Sequence, residues 1–225
     1  MEDQLEFGKS LSANIDFIIR KYSTEWDIND DQFGQIVDEL ELKVKKCPQC
    51  PKIEAFYEMY KTSEGKYNGR DLVVAGIICG NAQAITKARL LFELYDRQLS
   101  FKINREDFES IFDDLYRFCI ERAPLLVSNS TMPIATQGQI IQYISDLDLN
   151  KKKAREKFVE KLMNSKETIM KNEFIELFDE LENAKLMNSK ETIMKNEFIE
   201  LFDELENAKL LCSFGFRKFI GSCKE

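Results

Sequence analysis

Residues 92–108 read FELYDRQLSFKINREDF, with a mixed polar segment between two apolar ones. Apolar residues at helical spacing run up to Tyr95, and the spacing resumes at Phe108. The mixed segment between them carries Asp96, Ser100 and Asn104, which are residue types typical of loops. Within the stretch, Ile103 follows Phe92 by eleven residues and precedes Phe108 by five. The stretch therefore predicts a helix, a short loop and a second helix.

The same spacing of eleven and five residues occurs three more times along the chain. The three further sets are Phe17, Ile28 and Phe33; Phe56, Tyr67 and Leu72; and Phe158, Ile169 and Phe174. Four matches to one template indicate repeated units, in which the first apolar residue packs on the last and the central one lies where two loops pair. We therefore predict an all-α fold, with Ile28 paired to Tyr67 and Ile103 paired to Ile169.

This arrangement resembles the EF-hand superfamily, whose unit is a helix, a twelve-residue loop and a second helix. Aligned on the central apolar residues, the four loops are residues 21–32, 60–71, 96–107 and 162–173. Residues 90–96, LLFELYD, and residues 210–215, LLCSFG, resemble parts of degenerate four-hand proteins of the calaxin and neuronal calcium sensor type. The resemblance implies two lobes of paired, degenerate EF-hand units.

The spacing of the loops predicts where the lobes divide. Residues 1–120 form an N-terminal lobe with the first three loops. Residues 121–150, which contain two prolines and a glycine, form a linker. Residues 151–225 form a C-terminal part with loop 162–173, a tandem repeat and an apolar tail.

The tandem repeat has a period of 24 residues, because residues 161–186 are identical to residues 185–210. At about 100° per residue, 24 residues turn a helix by about 240° beyond whole turns. One continuous helix would present the two copies on different faces, so we predict breaks near Asn164 and Asn188.

The copies, residues 162–185 and 186–209, then form the fourth hand and a partial fifth hand. The fifth hand is defective because Glu182 stands where the template requires a phenylalanine. The perfect identity has two possible explanations, a recent duplication and an error in the gene model.

A calcium-binding loop needs oxygen ligands at its first, third, fifth, ninth and twelfth positions and a glycine at its sixth. The first positions of three loops are Lys21, Tyr60 and Leu162, and none of them offers a carboxylate. Loop 96–107 keeps more oxygen-bearing residues, although Phe101 replaces the glycine. Its weak candidate ligands are Asp96, Gln98, Ser100, Asn104 and Asp107. We therefore expect no bound calcium and no other cofactor.

Composition excludes several classes of function. The net charge of −8 disfavours binding to nucleic acid, which needs a basic surface. No stretch approaches the roughly 20 apolar residues of a membrane span, so we expect no membrane insertion. Histidine is absent, which removes the Ser-His-Asp and Cys-His arrangements, and we expect no enzyme activity. The six cysteines lack the spacing of a disulfide framework, which indicates a cytoplasmic protein.

Cys47 and Cys50 form a CxxC segment that allows a thiol redox function or half of a zinc site. A redox pair normally follows a strand of a thioredoxin-like unit, and a zinc site needs two further ligands. The simpler interpretation is a turn bounded by Pro48 and Pro51 between the first two hands.

These observations favour a calcium-independent EF-hand-like adaptor or structural protein that binds an amphipathic helix of a partner. The apolar tail is expected to compete for the binding groove or to complete it. Its candidate residues are Leu210, Leu211, Phe214, Phe216, Phe219 and Ile220. The resemblance implies a ciliary, axonemal or other cytoskeletal setting, with a microtubule- or dynein-associated assembly as partner. A weak calcium sensor acting through loop 96–107 is the first alternative, and a thiol or zinc function at Cys47 and Cys50 is the second.

Overall fold

The computed structural model describes residues 5–45, 53–96, 98–129, 136–178 and 213–223. These residues are mostly helical, and their strands form two short two-stranded ladders. Contacts divide the chain into two units. The first unit comprises residues 1–82 and 114–149, and the second comprises residues 83–113 and 150–225. Within the described ranges, no helix has the length and apolar character that crossing a membrane requires.

The elements follow one another as helices interrupted by very short strands. Up to residue 96 they are a 3₁₀-helix (Phe7–Lys9), α1 (Ser12–Tyr22), β1 (Asp27–Ile28), α2 (Asp30–Leu40), α3 (Ile53–Glu58), β2 (Tyr67–Asn68), α4 (Gly69–Cys79) and α5 (Ala84–Tyr95). Beyond it they are β3 (Lys102–Asn104), α6 (Arg105–Tyr116), a π-helix (Arg117–Arg122), a 3₁₀-helix (Ala123–Asn129), α7 (Gln137–Asp148), α8 (Lys151–Met163), β4 (Thr168–Met170), α9 (described over residues 171–178) and α10 (Ser213–Ser222).

Each ladder joins two of the four loops. Strands β1 and β2 are antiparallel, and Ile28 lies opposite Tyr67. Strands β3 and β4 are also antiparallel, and Ile103 lies opposite Ile169. These are the two pairs that the spacing predicts, and all four side chains are buried. The ladders therefore hold the loops together through their central apolar residues.

Side-chain caps start the helices that follow three of these strands. The side-chain oxygens of Asn29, Asn68 and Asn104 accept hydrogen bonds from the backbone amides three residues ahead, at 2.9, 3.1 and 3.0 Å. A cap of this kind satisfies a backbone donor that the first turn of a helix leaves without an intrahelical partner. The asparagine after each central apolar residue thus ends the strand and begins α2, α4 or α6.

In the first unit, α1 packs against α4 at very short range. A Cβ added to Gly76 of α4 would lie only 2.3 Å from Cγ2 of Ile15 in α1. The close approach buries Ile15, Ile18 and Ile19, which share one face of α1. That face, and not the template, decides which residues of α1 enter the core.

Phe17 departs from the prediction that the first residue of each set is buried. Phe56, Phe92 and Phe158 are almost fully buried, but Phe17 is 64% exposed. In an α-helix each residue is turned by about 100° from the one before it. Phe17 therefore lies on the side of α1 opposite Ile15 and Ile19, whose face is buried.

In the second unit the core is a cluster of phenylalanines. The ring of Phe174 lies 5.6 Å from that of Phe92, 5.7 Å from that of Phe108 and 5.3 Å from that of Phe178, measured between ring centres. These separations are typical of favourable aromatic pairs. The contact between Phe92 and Phe174 joins the first residue of one set to the last residue of another, so the two helix–loop–helix segments share one core.

The division into units differs from the predicted boundaries. The third loop groups with the fourth in the second unit, because β3 pairs with β4 and Phe92 packs on Phe174. Much of the predicted linker, residues 121–150, groups with the first unit. There α7 buries Ile140 and Leu147, and the Tyr116 hydroxyl donates a hydrogen bond to Asp148 at 2.9 Å.

The first of the two predicted breaks in the repeat is present. Helix α8 ends at Met163, and the next residue, Asn164, has a left-handed φ of 45° that stops the helix. Asn188, Glu182, the second copy (residues 186–209) and the end of the first copy lie outside the described residues, and with them the predicted fifth hand.

Candidate functional sites

The five candidate ligands of loop 96–107 line one cavity. Its volume is about 300 Å³. The lining residues are Tyr95, Asp96, Gln98, Ser100, Lys102, Ile103, Asn104, Asp107 and Thr168. The structure therefore brings together the residues that the sequence selected, and Lys102 lines the same cavity.

Most of the acceptor capacity of Asp96 serves the loop itself. Its Oδ1 lies 2.8 Å from the backbone nitrogen of Ser100 and 3.0 Å from the Ser100 hydroxyl. Its Oδ2 accepts a hydrogen bond from the backbone amide of Phe101 at 2.8 Å. An ionised carboxylate has about four lone-pair positions, so these contacts leave about one for any other donor or ion.

The twelfth residue of three loops is held by a backbone amide. Gln32, Asp107 and Glu173 each accept a hydrogen bond, at 2.9 Å, from the amide of the ninth loop residue. Position twelve is where a calcium loop places its bidentate carboxylate. In these loops the same side chain stabilises the start of the following helix.

In loop 162–173 the twelfth residue, Glu173, also forms an ion pair with a lysine. The ammonium group of Lys166 lies 2.7 Å from Oε1 of Glu173. This contact and the Met170 amide lower the pKa of the Glu173 carboxyl below its usual range. The side chain that would bind a metal ion therefore faces a lysine. Among the described residues, no group of three or more acidic, histidine or cysteine side chains is arranged to hold a metal.

The described part of the apolar tail packs into the second unit. Phe216 and Ile220 of α10 are fully buried, and Phe219 is partly exposed. The ring of Phe216 lies 5.5 Å from that of Phe112 and 6.3 Å from that of Phe158. Phe214 belongs to α10, whereas Leu210 and Leu211 lie outside the described residues.

Phe112 of α6 and Phe158 of α8 form what we call the aromatic groove. Helix α10 fills it with Phe216, and beside it a further cavity of about 500 Å³ remains. That cavity is lined by Lys157, Glu160, Lys161, Phe219, Ser222 and Cys223. The groove therefore accepts the apolar face of a helix, and its rim carries two lysines and one glutamate.

Sequence reasoning missed an exposed apolar surface at the tips of the loops. Leu99 is 78% exposed, Phe101 57% and Met170 43%. Phe101 and Met170 belong to paired loops, since the Lys171 amide donates to the Phe101 carbonyl at 3.0 Å. Leu99 and Phe101 also have positive φ angles of 51° and 58°, which bulky residues rarely adopt. The signal available in the sequence was a phenylalanine at the glycine position of the loop.

Cys47 and Cys50 lie outside the described residues, so the thiol and zinc alternatives stay predictions. Comparison with protein-family models, with curated proteins and with solved structures finds no significant match.

Proposed function

We propose that this chain is a calcium-independent, EF-hand-like adaptor whose second unit binds an amphipathic helix in the aromatic groove. The observation that carries the proposal is the position of α10. A helix of the chain itself places Phe216 against Phe112 and Phe158. A groove that accepts the apolar face of one helix has the shape and chemistry to accept another.

Exchange between α10 and a partner helix is physically reasonable. Helix α10 has only ten residues. Isolated helices shorter than about 12–15 residues are marginal in water, so α10 depends on packing for its stability. A longer partner helix with apolar residues at positions i, i+3 and i+4 would bury more surface in the same place. The function proposed is therefore competition between the tail and a partner for one groove.

Three features of the loops support independence from calcium. The loop pairs are held by Ile28, Tyr67, Ile103 and Ile169, all of them apolar or aromatic. Three of the twelfth residues cap helices. In loop 162–173 a lysine pairs with the carboxylate. A ciliary, axonemal or cytoskeletal setting, with a microtubule- or dynein-associated partner, follows from the resemblance alone and is part of the proposal on that basis.

The test removes residues 210–225 from the full chain. The exposed aromatic groove should then bind an apolar fluorescent dye more strongly, because Phe112 and Phe158 lose their cover. A synthetic peptide of residues 210–225, added in trans, should reverse the gain, and a scrambled peptide of the same composition should not. Unchanged dye binding after truncation would contradict the proposal.

A point substitution gives the matched comparison within α10. Phe216→Asp should release the helix and raise dye binding, whereas Lys218→Asp changes the exposed face of the same helix and should leave dye binding unaltered. Addition of calcium should change neither signal.

One observation favours a second candidate, a weak calcium sensor. All five candidate ligands of loop 96–107 line the same cavity, and Asp96 and Asp107 supply two carboxylates. Two carboxylates are fewer than tight calcium loops use. Calcium titration, described below, separates this candidate from the adaptor.

A further inference from the structure

The guanidinium group of Arg122 contacts both ends of loop 60–71. Its central carbon lies 4.1 Å from the centre of the Tyr60 ring, at the first loop position. Its Nη2 lies 2.7 Å from Oδ2 of Asp71, at the twelfth. The same nitrogen donates a hydrogen bond to the Met59 carbonyl at 3.1 Å. The side chains of Arg122 and Asp71 are only 12% and 7% exposed, so this positive charge is largely removed from water.

Tyr60 gives the loop no anionic ligand. Its side chain is buried, and burial raises the pKa of its hydroxyl well above the usual value for tyrosine. The ring is therefore neutral at physiological pH, and its face is a favourable surface for a guanidinium group. At the first position, where a metal-binding loop has a carboxylate, loop 60–71 has an aromatic ring that contacts the guanidinium group of Arg122.

A second arginine completes the neutralisation of Asp71. Nη1 of Arg117 lies 2.7 Å from Oδ1 of Asp71 and 3.0 Å from Oδ1 of Asp114. Oδ2 of Asp114 lies 3.1 Å from Nε of Arg70. Each oxygen of Asp71 therefore has its own arginine, and the network joins loop 60–71 to the segment that follows α6.

The π-helix explains how both arginines reach one carboxylate. Arg117 and Arg122 are the first and last residues of the π-helix. In an α-helix, residues five apart differ by about 140° around the axis. In a π-helix, whose hydrogen bonds run from i to i+5, residues five apart lie on nearly the same face. The local change of helix type thus places two guanidinium groups on Asp71.

We propose that Arg122 is a built-in cation for loop 60–71, which neutralises Asp71 and closes the loop in place of a metal ion. The physical reason is that a buried carboxylate is costly unless a partner neutralises it. The inference goes beyond the proposed function, since every contact lies within the first unit and none involves the aromatic groove. Lys166 on Glu173 is a more exposed instance of the same arrangement.

The test measures hydrogen exchange of residues 60–71 in the full chain, with calcium and with a chelator. Wild-type exchange should be the same in both conditions. Arg122→Met should raise exchange in the loop on the order of 100-fold, as breaking a buried ion pair does. The control is Arg20→Met, which removes a comparable pair in the first unit. Arg20 bonds Asp16 at 2.6 Å and lies 4.9 Å from the Trp26 ring centre, but its partner is four residues away and its side chain is 36% exposed.

A further arm asks whether the arginine acts as a cation and not only as a contact. In Arg122→Met the carboxylate of Asp71 loses half of its neutralisation, so millimolar calcium should partly reverse the faster exchange. The same calcium should change nothing in wild type or in Arg20→Met. Calcium protection of the wild-type loop, or no reversal in Arg122→Met, would contradict the proposal.

A conservative variant keeps the proposal testable if Arg122→Met does not fold. Arg122→Lys keeps the charge but lacks the planar fork that contacts Asp71, Met59 and the Tyr60 ring together. Its exchange in the loop should lie between wild type and a variant without the ion pair, Asp71→Asn. Exchange equal to wild type in both Arg122→Lys and Asp71→Asn would show that the network does not hold the loop.

Discussion

At the scale of single residues, phenylalanines in equivalent template positions have opposite environments. Phe158 is 2% exposed and contacts Phe112 and Phe216, whereas Phe17 is 64% exposed. The energetic role of a large apolar side chain depends on the contacts that surround it, because the cost of removing it includes the cavity it leaves. The two residues therefore form a matched pair for mutation.

Phe158→Ala should lower the free energy of unfolding by about 3–5 kcal/mol, and Phe92→Ala should do the same. Phe17→Ala is the control and should change it by less than about 1 kcal/mol, as surface substitutions do. Urea unfolding followed by circular dichroism measures all three. Losses of similar size for Phe17 and Phe158 would mean that the burial described for α1 is incorrect.

The burial of Tyr57 and Tyr60 predicts that the free energy of unfolding falls at alkaline pH. Both hydroxyls are buried, and burial raises the pKa of each above the usual value near 10. The unfolded chain therefore loses these protons at lower pH than the folded chain. The two tyrosines therefore make their full contribution to the free energy of unfolding below about pH 10. Above that pH each of them loses about 1.4 kcal/mol of it per pH unit.

The double variant Tyr57→Phe, Tyr60→Phe should flatten that part of the pH dependence. Urea unfolding at several pH values between about 9 and 11 gives the slope, and the tyrosinate absorbance reports the titration. At neutral pH the variant should be about as stable as wild type. An unchanged alkaline slope would show that other groups cause it.

At the scale of elements, the packing of α1 on α4 depends on the missing side chain of Gly76. Ile15 occupies the space that a Cβ at residue 76 would need. Glycine is otherwise unfavourable within a helix, since its backbone loses more freedom on folding than that of other residues. The close helix contact offsets this disadvantage, and an exposed glycine in α2, Gly34, shows the opposite case because nothing lies within 4 Å of its added Cβ.

Gly76→Ala should destabilise the first unit by roughly 1–3 kcal/mol, because Ile15 and the backbone of α1 must move. Gly34→Ala should stabilise the same unit by about 0.5–1 kcal/mol through helix propensity alone. Thermal unfolding of both variants checks the signs. Stabilisation by Gly76→Ala would contradict the close contact of α1 and α4.

At the scale of the whole molecule, the four loops keep their form through protein contacts. Asn29, Asn68 and Asn104 cap the exiting helices, and the ladders bury the central apolar residues. Arg122 and Lys166 supply positive charge to carboxylates at the twelfth position. Because these contacts already stabilise the loops, a bound ion would add little to their stability.

Isothermal titration of the full chain should therefore detect no calcium site of micromolar affinity. Cations already contact Asp71 and Glu173, and backbone groups use most of Asp96. If a micromolar site appears, Asp96→Ala should abolish it, and the calcium-sensor alternative would replace the adaptor. Glu64→Ala, in the loop closed by Arg122, is the matched control and should leave such a site unaffected.

The sequence predicted the positions of the four loops and the pairing of their central residues. It did not predict α7, which lies within residues 121–150, the segment expected to be a linker. The spacing of eleven and five residues, repeated four times, carried this prediction, because helical periodicity and helix caps depend on residues only a few positions apart. The candidate ligands of loop 96–107 line one cavity because a twelve-residue loop brings its own members together, and their role as ligands stays a prediction.

The choice of the buried helix face and the pairing of distant charges depend on contacts between elements that are far apart in the chain. Periodicity states that Ile15 and Ile19 share a face, but contact with Gly76 makes that face the core and leaves Phe17 in water. Arg122 pairs with Asp71, which is far from it in the chain. The pairing depends on a π-helix that no local sequence pattern predicts. The packing of Phe216 in the aromatic groove is likewise not predictable from the sequence. Its apolar side chain predicts that it is buried, but not that it packs on Phe112.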